Sequence, residues 1–362
     1  MKIFIVCASM NGGGAERVGV MLANGFSRHY HNIAIITDVY QKRTYDIDKD
    51  VRVLPLNPHS KNKILRWGGA IKNIRKYVKE EKPDVIIGIM QLCSLVSRIA
   101  CIGTKTTVIM TEHSAFEYVS DLPRPWHLKP SRKFLDPIYE WVTVLTEADK
   151  EFIGNKLKHI VVMPNPLSFS PVKEMPQKEK ILFSAGRLTD WRYKGWDILI
   201  KAWAKIADKY PEWKLMIAGD GAESSKQYLR KLMQEYKVNN EIQFLGYRTD
   251  MLQLFQRASL FVLSSRSEGL PMVLLEAMSQ GCAPVATDYK GRTKEIITSD
   301  NEGITCEPKD IDALAAGMEK LICDESFRKH VQKNAIERSK HYTLDNIINM
   351  WENFFKQIKE SN

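Results

Sequence analysis

Short apolar runs and longer amphipathic segments alternate along the whole chain of 362 residues. Apolar runs such as residues 2–7 and 260–264 carry almost no polar side chains, which is typical of parallel strands that are covered on both faces. Amphipathic segments such as residues 64–80 have the spacing of surface helices. This regular alternation predicts an α/β protein with two doubly wound, Rossmann-like parallel sheets and right-handed crossovers.

Residues 164–179 interrupt the alternation, because they are rich in proline and polar side chains and show no periodicity. We place a linker there, between two αβ-repeating halves that are each long enough for a core of their own. The last predicted helix, residues 343–359, carries Trp351, Phe354 and Phe355 and therefore needs an apolar surface to pack against.

Residues 264–278 form the most informative stretch, since two acids follow the carboxyl end of a predicted strand. Glu268 falls in the strand-to-helix loop, Pro271 suits the first helical position, and Glu276 lies in a helix that is apolar on nearly every side. Burying Glu276 without a partner would cost several kcal/mol, so it needs a polar neighbour. Both acids lie where open α/β sheets bind ligands. The simpler alternative is that Glu268 caps the helix and Glu276 reaches water.

Other strand ends in the second half carry cations and glycines. Arg187 and Lys194 lie on adjacent loops, where a guanidinium and an ammonium suit a diphosphate. They could equally be surface cations beside a turn. Glycine turns at the neighbouring strand ends could let a base or ribose lie close to the backbone. These turns contain Gly219, Asp220 and Gly246.

The first half offers a glycine loop and a histidine. Gly12, Gly13 and Gly14 follow the first strand and precede Glu16 and a helix predicted from residue 18. Such a loop lets backbone N–H groups approach a phosphate or a sugar, although its spacing is not the GxGxxG of dinucleotide sites. His113 follows another strand and is either a ligand contact or a core histidine that the backbone satisfies.

Composition narrows the class of protein. No apolar run is long enough to cross a membrane, and the content of 44% hydrophobic and 27% charged residues is that of a globular protein. Six scattered cysteines without a CxxC pair indicate small buried side chains in a reducing cytoplasm, not disulfides or zinc ligands.

Positive charge is concentrated in the first half. Residues 1–166 carry 24 Lys and Arg against 16 Asp and Glu, whereas residues 167–362 carry 29 against 27. We expect the first half to face an anionic partner, either a membrane surface or a lipid diphosphate, unless the charge serves only solubility. No nucleic-acid-binding motif accompanies it. The basic segment 120–133, which contains Trp126, could lie on the inner face of the plasma membrane or form a folded surface loop.

These motifs together resemble the family-four retaining glycosyltransferases of the GT-B fold, the glycosyl transferases of group 1. The resemblance covers essentially the whole chain and includes the element E-x7-E formed by Glu268 and Glu276. The other matching motifs, in chain order, are Gly13-Gly14-Ala15-Glu16, Glu112-His113, Pro164-Asn165-Pro166, Gly186-Arg187-Leu188, Lys194-Gly195, Ala218-Gly219-Asp220-Gly221 and Phe244-Leu245-Gly246. It implies two Rossmann-like domains that face a central cleft, with residues 1–165 and about 343–362 binding the acceptor and residues 166–342 binding the donor.

The resemblance also implies roles for single residues. Glu276 would bind the ribose hydroxyls, Glu268 and His113 would contact the transferred sugar, and Arg187 and Lys194 would hold the donor diphosphate. The remaining donor contacts would come from Gly219, Asp220, Gly246, Gly269, Leu270 and Pro271, and the phosphate or acceptor loop from Gly12, Gly13, Gly14 and Glu16. Arg187 and Lys194 are separated by more residues than in many relatives, so Arg192 is an alternative to Lys194.

We therefore expect a retaining, metal-independent hexosyltransferase without a cofactor. It would move sugar from a nucleotide diphosphate-sugar, with UDP as the expected nucleotide, to a glycan or lipid-linked acceptor in surface polysaccharide biosynthesis. The alternatives are a nucleotide-sugar epimerase of the same architecture and a non-catalytic sugar-nucleotide binding protein. No nucleic-acid partner is expected.

Overall fold

The computed structural model describes residues 1–60, 62–117, 132–133 and 135–361. The described chain divides into two compact units, which are unit 1 (residues 1–117, 132–166 and 344–361) and unit 2 (residues 167–343). The division after Pro166 and Thr343 lies within a residue of the predicted domain boundaries.

Unit 1 is built on a seven-stranded parallel sheet. Its strands are β1 (Lys2–Val6), β2 (Asn32–Thr37), β3 (Arg52–Pro55), β4 (Val85–Ile89), β5 (Thr107–Thr111), β6 (Trp141–Val144) and β7 (His159–Val162). Its first helices are α1 (Gly14–Arg28), α2 (Lys63–Glu81), α3 (Met90–Ala100) and α4 (Glu147–Ile153). The strand order is β3-β2-β1-β4-β5-β6-β7, and the central strands are buried on both faces, as their unbroken apolar sequences predict.

Unit 2 is built on a six-stranded parallel sheet. Its strands are β8 (Glu179–Ala185), β9 (Lys214–Ala218), β10 (Ile242–Gly246), β11 (Ala258–Leu263), β12 (Ala283–Thr287) and β13 (Ile304–Cys306). Its helices are α5 (Trp191–Lys194), α6 (Trp196–Ala204), α7 (Glu223–Glu235), α8 (Met251–Arg257), α9 (Met272–Ser279), α10 (Ile311–Cys323) and α11 (Glu325–Ser339). The strand order is β10-β9-β8-β11-β12-β13.

Each sheet contains one point at which the direction of strand addition reverses. In unit 1 this switch point lies between β1 and β4, and in unit 2 it lies between β8 and β11. Ligands of open α/β sheets bind outside the carboxyl ends of the strands at such points. The loops after β8 and β11, which carry Arg187, Lys194 and Glu268, meet this condition in unit 2.

The C-terminal helix, α12 (Leu344–Ser361), belongs to unit 1 and confirms the predicted return to the first domain. Its aromatic face packs on Phe26 of α1, with ring centroids 6.1 Å away for Trp351 and 5.5 Å away for Phe355. Gly25 permits this approach, because a Cβ there would lie 2.7 Å from Ile348. The apolar face of the last helix thus completes the core of unit 1.

Three local expectations were wrong. Helix α1 begins at Gly14 and not at residue 18, so the end of the glycine loop is already helical. Lys194, expected on a loop, ends a short helical turn of residues 191–194, which Gly195 terminates in the left-handed conformation. Cys323 is exposed at the end of α10, whereas Cys7, Cys93, Cys101 and Cys282 are buried as expected. In the described part of the chain, no helix is long and apolar enough for a membrane crossing.

Candidate functional site

Unit 2 brings an acid, a lysine and a serine together at its switch point. Glu268 lies in the loop between β11 and α9, and Lys194 ends α5. The Lys194 ammonium and the Ser265 hydroxyl both donate to Glu268 Oε1, each at 2.7 Å. Only 24% of the Lys194 side chain and 15% of the Glu268 side chain are exposed, so solvent screens this ion pair only partly.

A second ion pair joins the two loops that carry Lys194 and Glu268. The Arg266 guanidinium binds both oxygens of Asp197, at 2.8 and 2.7 Å. The Arg266 backbone N–H donates to the Tyr193 carbonyl at 2.8 Å, and the Ser264 hydroxyl donates to the Lys194 carbonyl at 2.9 Å. These four bonds hold the two loops in one arrangement, because bidentate Arg–carboxylate pairing is geometrically specific.

Two glycines in this region are required by the packing of backbone against backbone. Gly195 has φ +65°, and a Cβ there would lie 1.9 Å from the Ser264 carbonyl oxygen. Gly219 has φ +148°, and a Cβ there would lie 1.9 Å from the Gly186 carbonyl oxygen. Gly219 is therefore needed for contact between two protein loops, a reason that the sequence did not suggest. Gly246 has φ +69° and borders open space, since no atom of a described residue other than its chain neighbours lies within 4 Å of its Cβ position.

Arg187 and the alternative phosphate ligand Arg192 lie in different surroundings. Arg187 is 74% exposed and lies 3.8 Å from Asp190. The Arg192 guanidinium lies over the ring of Trp191, 5.1 Å from its centroid. Arg187 is therefore free to turn toward a ligand, whereas Lys194, and not Arg192, is the cation that contacts Glu268.

Asp220 is engaged on the surface. Its side chain is 53% exposed, lies 2.5 Å from the Lys226 ammonium and accepts the Gly221 N–H at 2.8 Å. The bond from Lys226 and the backbone bond hold the pKa of Asp220 below its ordinary value. Asp220 is thus an ionised acceptor beside the end of β9.

Glu276 is buried in α9, with 3% exposure. Its helix begins at Met272, so Pro271 is the N-cap residue and not the first helical residue as predicted. Leu270 is buried and Gly269 half-buried in the preceding loop. The alternative in which Glu276 simply reaches water is therefore wrong.

The glycine loop of unit 1 is covered by an acid. Gly12 has φ +81°, Gly13 is the N-cap of α1, and the Tyr45 hydroxyl donates to the Gly13 carbonyl at 3.0 Å. The Glu16 carboxylate folds back so closely that a Cβ on Gly13 would lie 1.8 Å from Glu16 Oε2. A carboxylate at this position repels phosphate and accepts hydrogen bonds from hydroxyl groups. The loop that ends at Gly14 therefore suits a sugar or acceptor hydroxyl better than a phosphate.

His113 lies just beyond β5, between two uncharged hydrogen-bonding neighbours. Its Nε2 lies 3.0 Å from Thr111 Oγ1, and its Nδ1 lies 3.0 Å from Asn165 Oδ1. The Thr111 hydroxyl donates to the Gly88 carbonyl, so its oxygen accepts from Nε2–H. Burial lowers the pKa of His113 from 6.5 to about 4. In the neutral ring the proton is on Nε2, so Nδ1 accepts a hydrogen bond. The Asn165 side chain supplies the donor when its amide group is rotated by a half-turn, so that its nitrogen faces Nδ1.

Buried Glu112 shapes the loop around His113. Its Oε1 accepts the backbone N–H groups of His113 and Ser114, both at 3.0 Å, and the Ser114 hydroxyl at 2.7 Å. Its Oε2 lies 3.4 Å from the Arg132 guanidinium. Most of the basic segment 120–133 lies outside the described residues, and Arg132 and Lys133 are the members that the structure describes.

Sequence reasoning assigned no role to Ser265, Asn165 or Thr111, although each contacts a predicted site residue. Asn165 had a weak signal in the sequence, since it stands between two prolines, and the structure shows that its polar side chain is only 5% exposed. Ser265 and Thr111 had none, because a hydroxyl near a strand end is common and its partner depends on the fold. In the described residues, no group of three or more His, Cys, Asp and Glu side chains could hold a metal ion.

Comparisons with known proteins place the whole chain among sugar-transferring enzymes. The Glycosyltransferase Family 4 model matches residues 12–169, and the model for glycosyl transferases group 1 matches residues 168–338. The chain is 30% identical, over 100% of both chains, to the Campylobacter jejuni GalNAc-alpha-(1->4)-GalNAc-alpha-(1->3)-diNAcBac-PP-undecaprenol alpha-1,4-N-acetyl-D-galactosaminyltransferase. It is 25% identical to an amylovoran biosynthesis glycosyltransferase of Erwinia amylovora, with 96% of this chain and 97% of the relative covered.

The solved structure of a sucrose-phosphate synthase from Thermosynechococcus elongatus has the same fold. Its TM-score is 0.84 at 18% sequence identity, with 100% of both chains covered. This similarity agrees with the two parallel-sheet units described above.

Proposed function

This chain belongs to the family-four glycosyltransferases of the GT-B fold (glycosyl transferases group 1), and we propose that it takes its sugar from a nucleoside diphosphate sugar. Unit 2 would bind this donor, with a UDP-sugar as the first candidate. Unit 1 would bind a glycan or lipid-linked acceptor of surface polysaccharide biosynthesis.

The observation that carries the proposal is the Glu268 carboxylate, held at the switch point of unit 2 by Lys194 and Ser265. A carboxylate accepts hydrogen bonds from sugar hydroxyls, and the adjacent ammonium attracts a diphosphate. Exposed Arg187 follows β8, the strand next to β11, and suits the same diphosphate by bidentate binding. Buried Glu276 would accept the two ribose hydroxyls of the nucleotide.

We propose that the sugar, a hexose, keeps its anomeric configuration in the transfer. The bond from the anomeric carbon to the leaving phosphate oxygen breaks, and the acceptor hydroxyl attacks the same face of the sugar. The leaving phosphate oxygen takes the proton of that hydroxyl, and Arg187 and Lys194 stabilise the charge on the diphosphate. His113 is neutral at neutral pH and both of its ring nitrogens are hydrogen-bonded to Thr111 and Asn165, so it would add no charge to the site. No metal ion is required in this scheme.

The relatives support an acceptor built on a lipid carrier or a polysaccharide. The name of the Campylobacter jejuni enzyme specifies a diphospho-undecaprenol acceptor, and that of the Erwinia amylovora enzyme specifies amylovoran biosynthesis. We propose the same class of acceptor for this chain.

A panel of sugar nucleotides, scored by thermal shift, tests the donor, because a ligand raises stability by RT ln(1+[L]/Kd). We expect one UDP-sugar to stabilise the wild type and to be consumed only when an acceptor glycan is added. Consumption of the donor alone, with release of an epimerised sugar nucleotide, would favour the epimerase alternative. Glu268→Ala should reduce transfer at least about tenfold, and Glu179→Ala, at the other end of β8, is the matched control.

We also propose that unit 1 attaches to the cytoplasmic face of the membrane. The exposed face of α2 carries Lys72, Lys76 and Lys79 in a row, and Ile64 and Leu65 are 83% and 60% exposed at its first turn. Lysines attract anionic lipids, and exposed apolar side chains can enter the interface. Sedimentation with anionic liposomes should show binding that salt weakens, and equal binding to neutral liposomes would contradict it.

A further inference from the structure

One carboxylate oxygen of Glu268 takes both of the hydrogen bonds that hold this side chain. The Lys194 ammonium and the Ser265 hydroxyl donate to Oε1 at 2.7 Å each. Within the described part of the chain, Oε2 accepts no hydrogen bond. Glu268 is therefore anchored through one oxygen and presents the other to a ligand.

Ser265 and Lys194, which bind Glu268, are themselves held by contacts to their backbone. Ser265 is 2% exposed, and its carbonyl accepts the Thr287 hydroxyl at 2.6 Å. The Lys194 carbonyl accepts the Ser264 hydroxyl, and Gly195 is wedged against the backbone of Ser264. The backbone at Lys194 is thus fixed and its ammonium lies 2.7 Å from Glu268 Oε1, so a diphosphate bound by Lys194 would lie near that carboxylate.

This arrangement makes one lysine serve two anions. A free nucleoside diphosphate would share the Lys194 charge with Glu268 and would also meet the negative field of that carboxylate. A nucleoside diphosphate sugar meets the same field, but a sugar hydroxyl can donate to the open Oε2 and offset it. The two ligands therefore differ in one contact, because only the sugar-bearing ligand can place a hydroxyl donor at Oε2 of Glu268.

We propose that the Lys194–Glu268 pair, positioned by Ser265, makes unit 2 discriminate the sugar-bearing donor from the free nucleoside diphosphate that transfer releases. This inference rests on the proposed function, since it assumes a nucleoside diphosphate sugar as donor. The pair weakens binding of the product, and the sugar restores binding of the donor. Ser265 is a positioning residue, because it acts through Glu268.

Titration calorimetry with UDP and with the UDP-sugar selected by the panel tests the proposal. Glu268→Gln keeps the shape of the side chain and removes its charge, so Lys194 is left to the diphosphate alone. We expect UDP to bind about tenfold more tightly to Glu268→Gln than to the wild type, and the UDP-sugar to bind no more tightly. The dissociation constant of UDP divided by that of the UDP-sugar should therefore fall at least about tenfold. Glu179→Gln, which removes an equal charge from unit 2 at the far end of β8, should leave the ratio unchanged.

Ser265 provides an independent variant. Ser265→Ala should lower the same ratio, and Ser265→Thr, which keeps the hydroxyl, should restore it. If both ligands bind and neither Glu268→Gln nor Ser265→Ala changes the ratio, the inference is wrong and the proposed function stands. If neither UDP nor any UDP-sugar binds the wild type, the proposed donor is wrong and the inference falls with it.

Discussion

At the scale of single residues, His113 shows how burial sets the charge state of an ionisable group. Thr111 and Asn165 satisfy its two ring nitrogens without charge, and burial lowers its pKa to about 4. The ring is therefore neutral at neutral pH, and its nitrogens are hydrogen-bonded to Thr111 and Asn165.

Replacing Asn165 by aspartate should favour the charged form of His113. A carboxylate at Nδ1 stabilises the imidazolium, so Asn165→Asp should raise the pKa of His113 above that of the wild type. NMR titration of the ring protons measures it directly. Asn155→Asp, on the exposed turn after α4, is the control and should leave the titration unchanged. An unshifted ring in Asn165→Asp would mean that Asn165 does not contact Nδ1 in solution.

The same pKa predicts a pH dependence of stability. The folded pKa of about 4 lies below the ordinary 6.5. In the window between them the unfolded chain binds the proton more readily, so the free energy of unfolding falls as the pH drops. Chemical unfolding at several pH values across this window should show a shallower fall for His113→Gln than for the wild type. Exposed His330→Gln should match the wild type.

At the scale of elements, the Arg266–Asp197 pair joins the loop after β11 to the start of α6. Its geometry is bidentate and its side chains are only 15% and 13% exposed. Removing one partner leaves the other charge with few hydrogen bonds in a partly dry site, which costs more than losing an exposed pair.

Arg266→Met should therefore destabilise the protein by about 1–3 kcal/mol. The double variant Arg266→Met/Asp197→Leu should recover part of that loss, because no unpaired carboxylate remains. Urea unfolding measures both. Lys180→Met, which breaks the exposed pair with Glu212, should change stability by at most about 0.5 kcal/mol. Equal losses in Arg266→Met and Lys180→Met would rule out a special role for the buried pair.

Helix α12 is the other element whose role can be measured. Phe355 is 2% exposed and packs on Phe26, whereas Met350 of the same helix is 38% exposed. Phe355→Ala should cost about 3–5 kcal/mol, since it leaves a cavity in the core of unit 1. Met350→Ala should cost much less. A small effect of Phe355→Ala in thermal unfolding would show that the helix is dispensable for the core.

At the scale of the whole molecule, no group of three or more His, Cys, Asp and Glu side chains in the described residues could hold a metal ion, and three buried or half-buried acids are each paired with a cation. Lys194 neutralises Glu268, Arg266 neutralises Asp197, and Arg132 lies beside Glu112. In the proposed transfer, Arg187 and Lys194 would stabilise the departing diphosphate.

Transfer activity should therefore survive EDTA. We expect the rate with the identified donor to change less than about twofold, because Arg187 and Lys194 supply the positive charge that a metal ion would otherwise supply. Activity lost in EDTA and restored by magnesium would overturn this expectation. The double variant Arg187→Met/Lys194→Met should lose transfer whether or not metal is present.

The architecture could be predicted from local pattern. Unbroken apolar strands, helical periodicity and the placement of Glu268 and Arg187 at strand ends are encoded within a few residues of each position. Because the strands are parallel and their carboxyl ends share one edge, those positions alone predicted that Glu268 and Arg187 lie at the same edge of the sheet of unit 2.

Pairings between distant segments depended on the folded chain. Nothing near Lys194 in sequence indicates that its ammonium shares Glu268 Oε1 with Ser265, and nothing near Gly219 indicates that it must clear the Gly186 carbonyl. His113 acquires its low pKa from burial, and its ring nitrogen Nδ1 contacts Asn165, which lies 52 residues away. Hydrogen bonds, desolvation and steric contact fall off within a few ångströms, so they are decided by which segments the tertiary structure brings together.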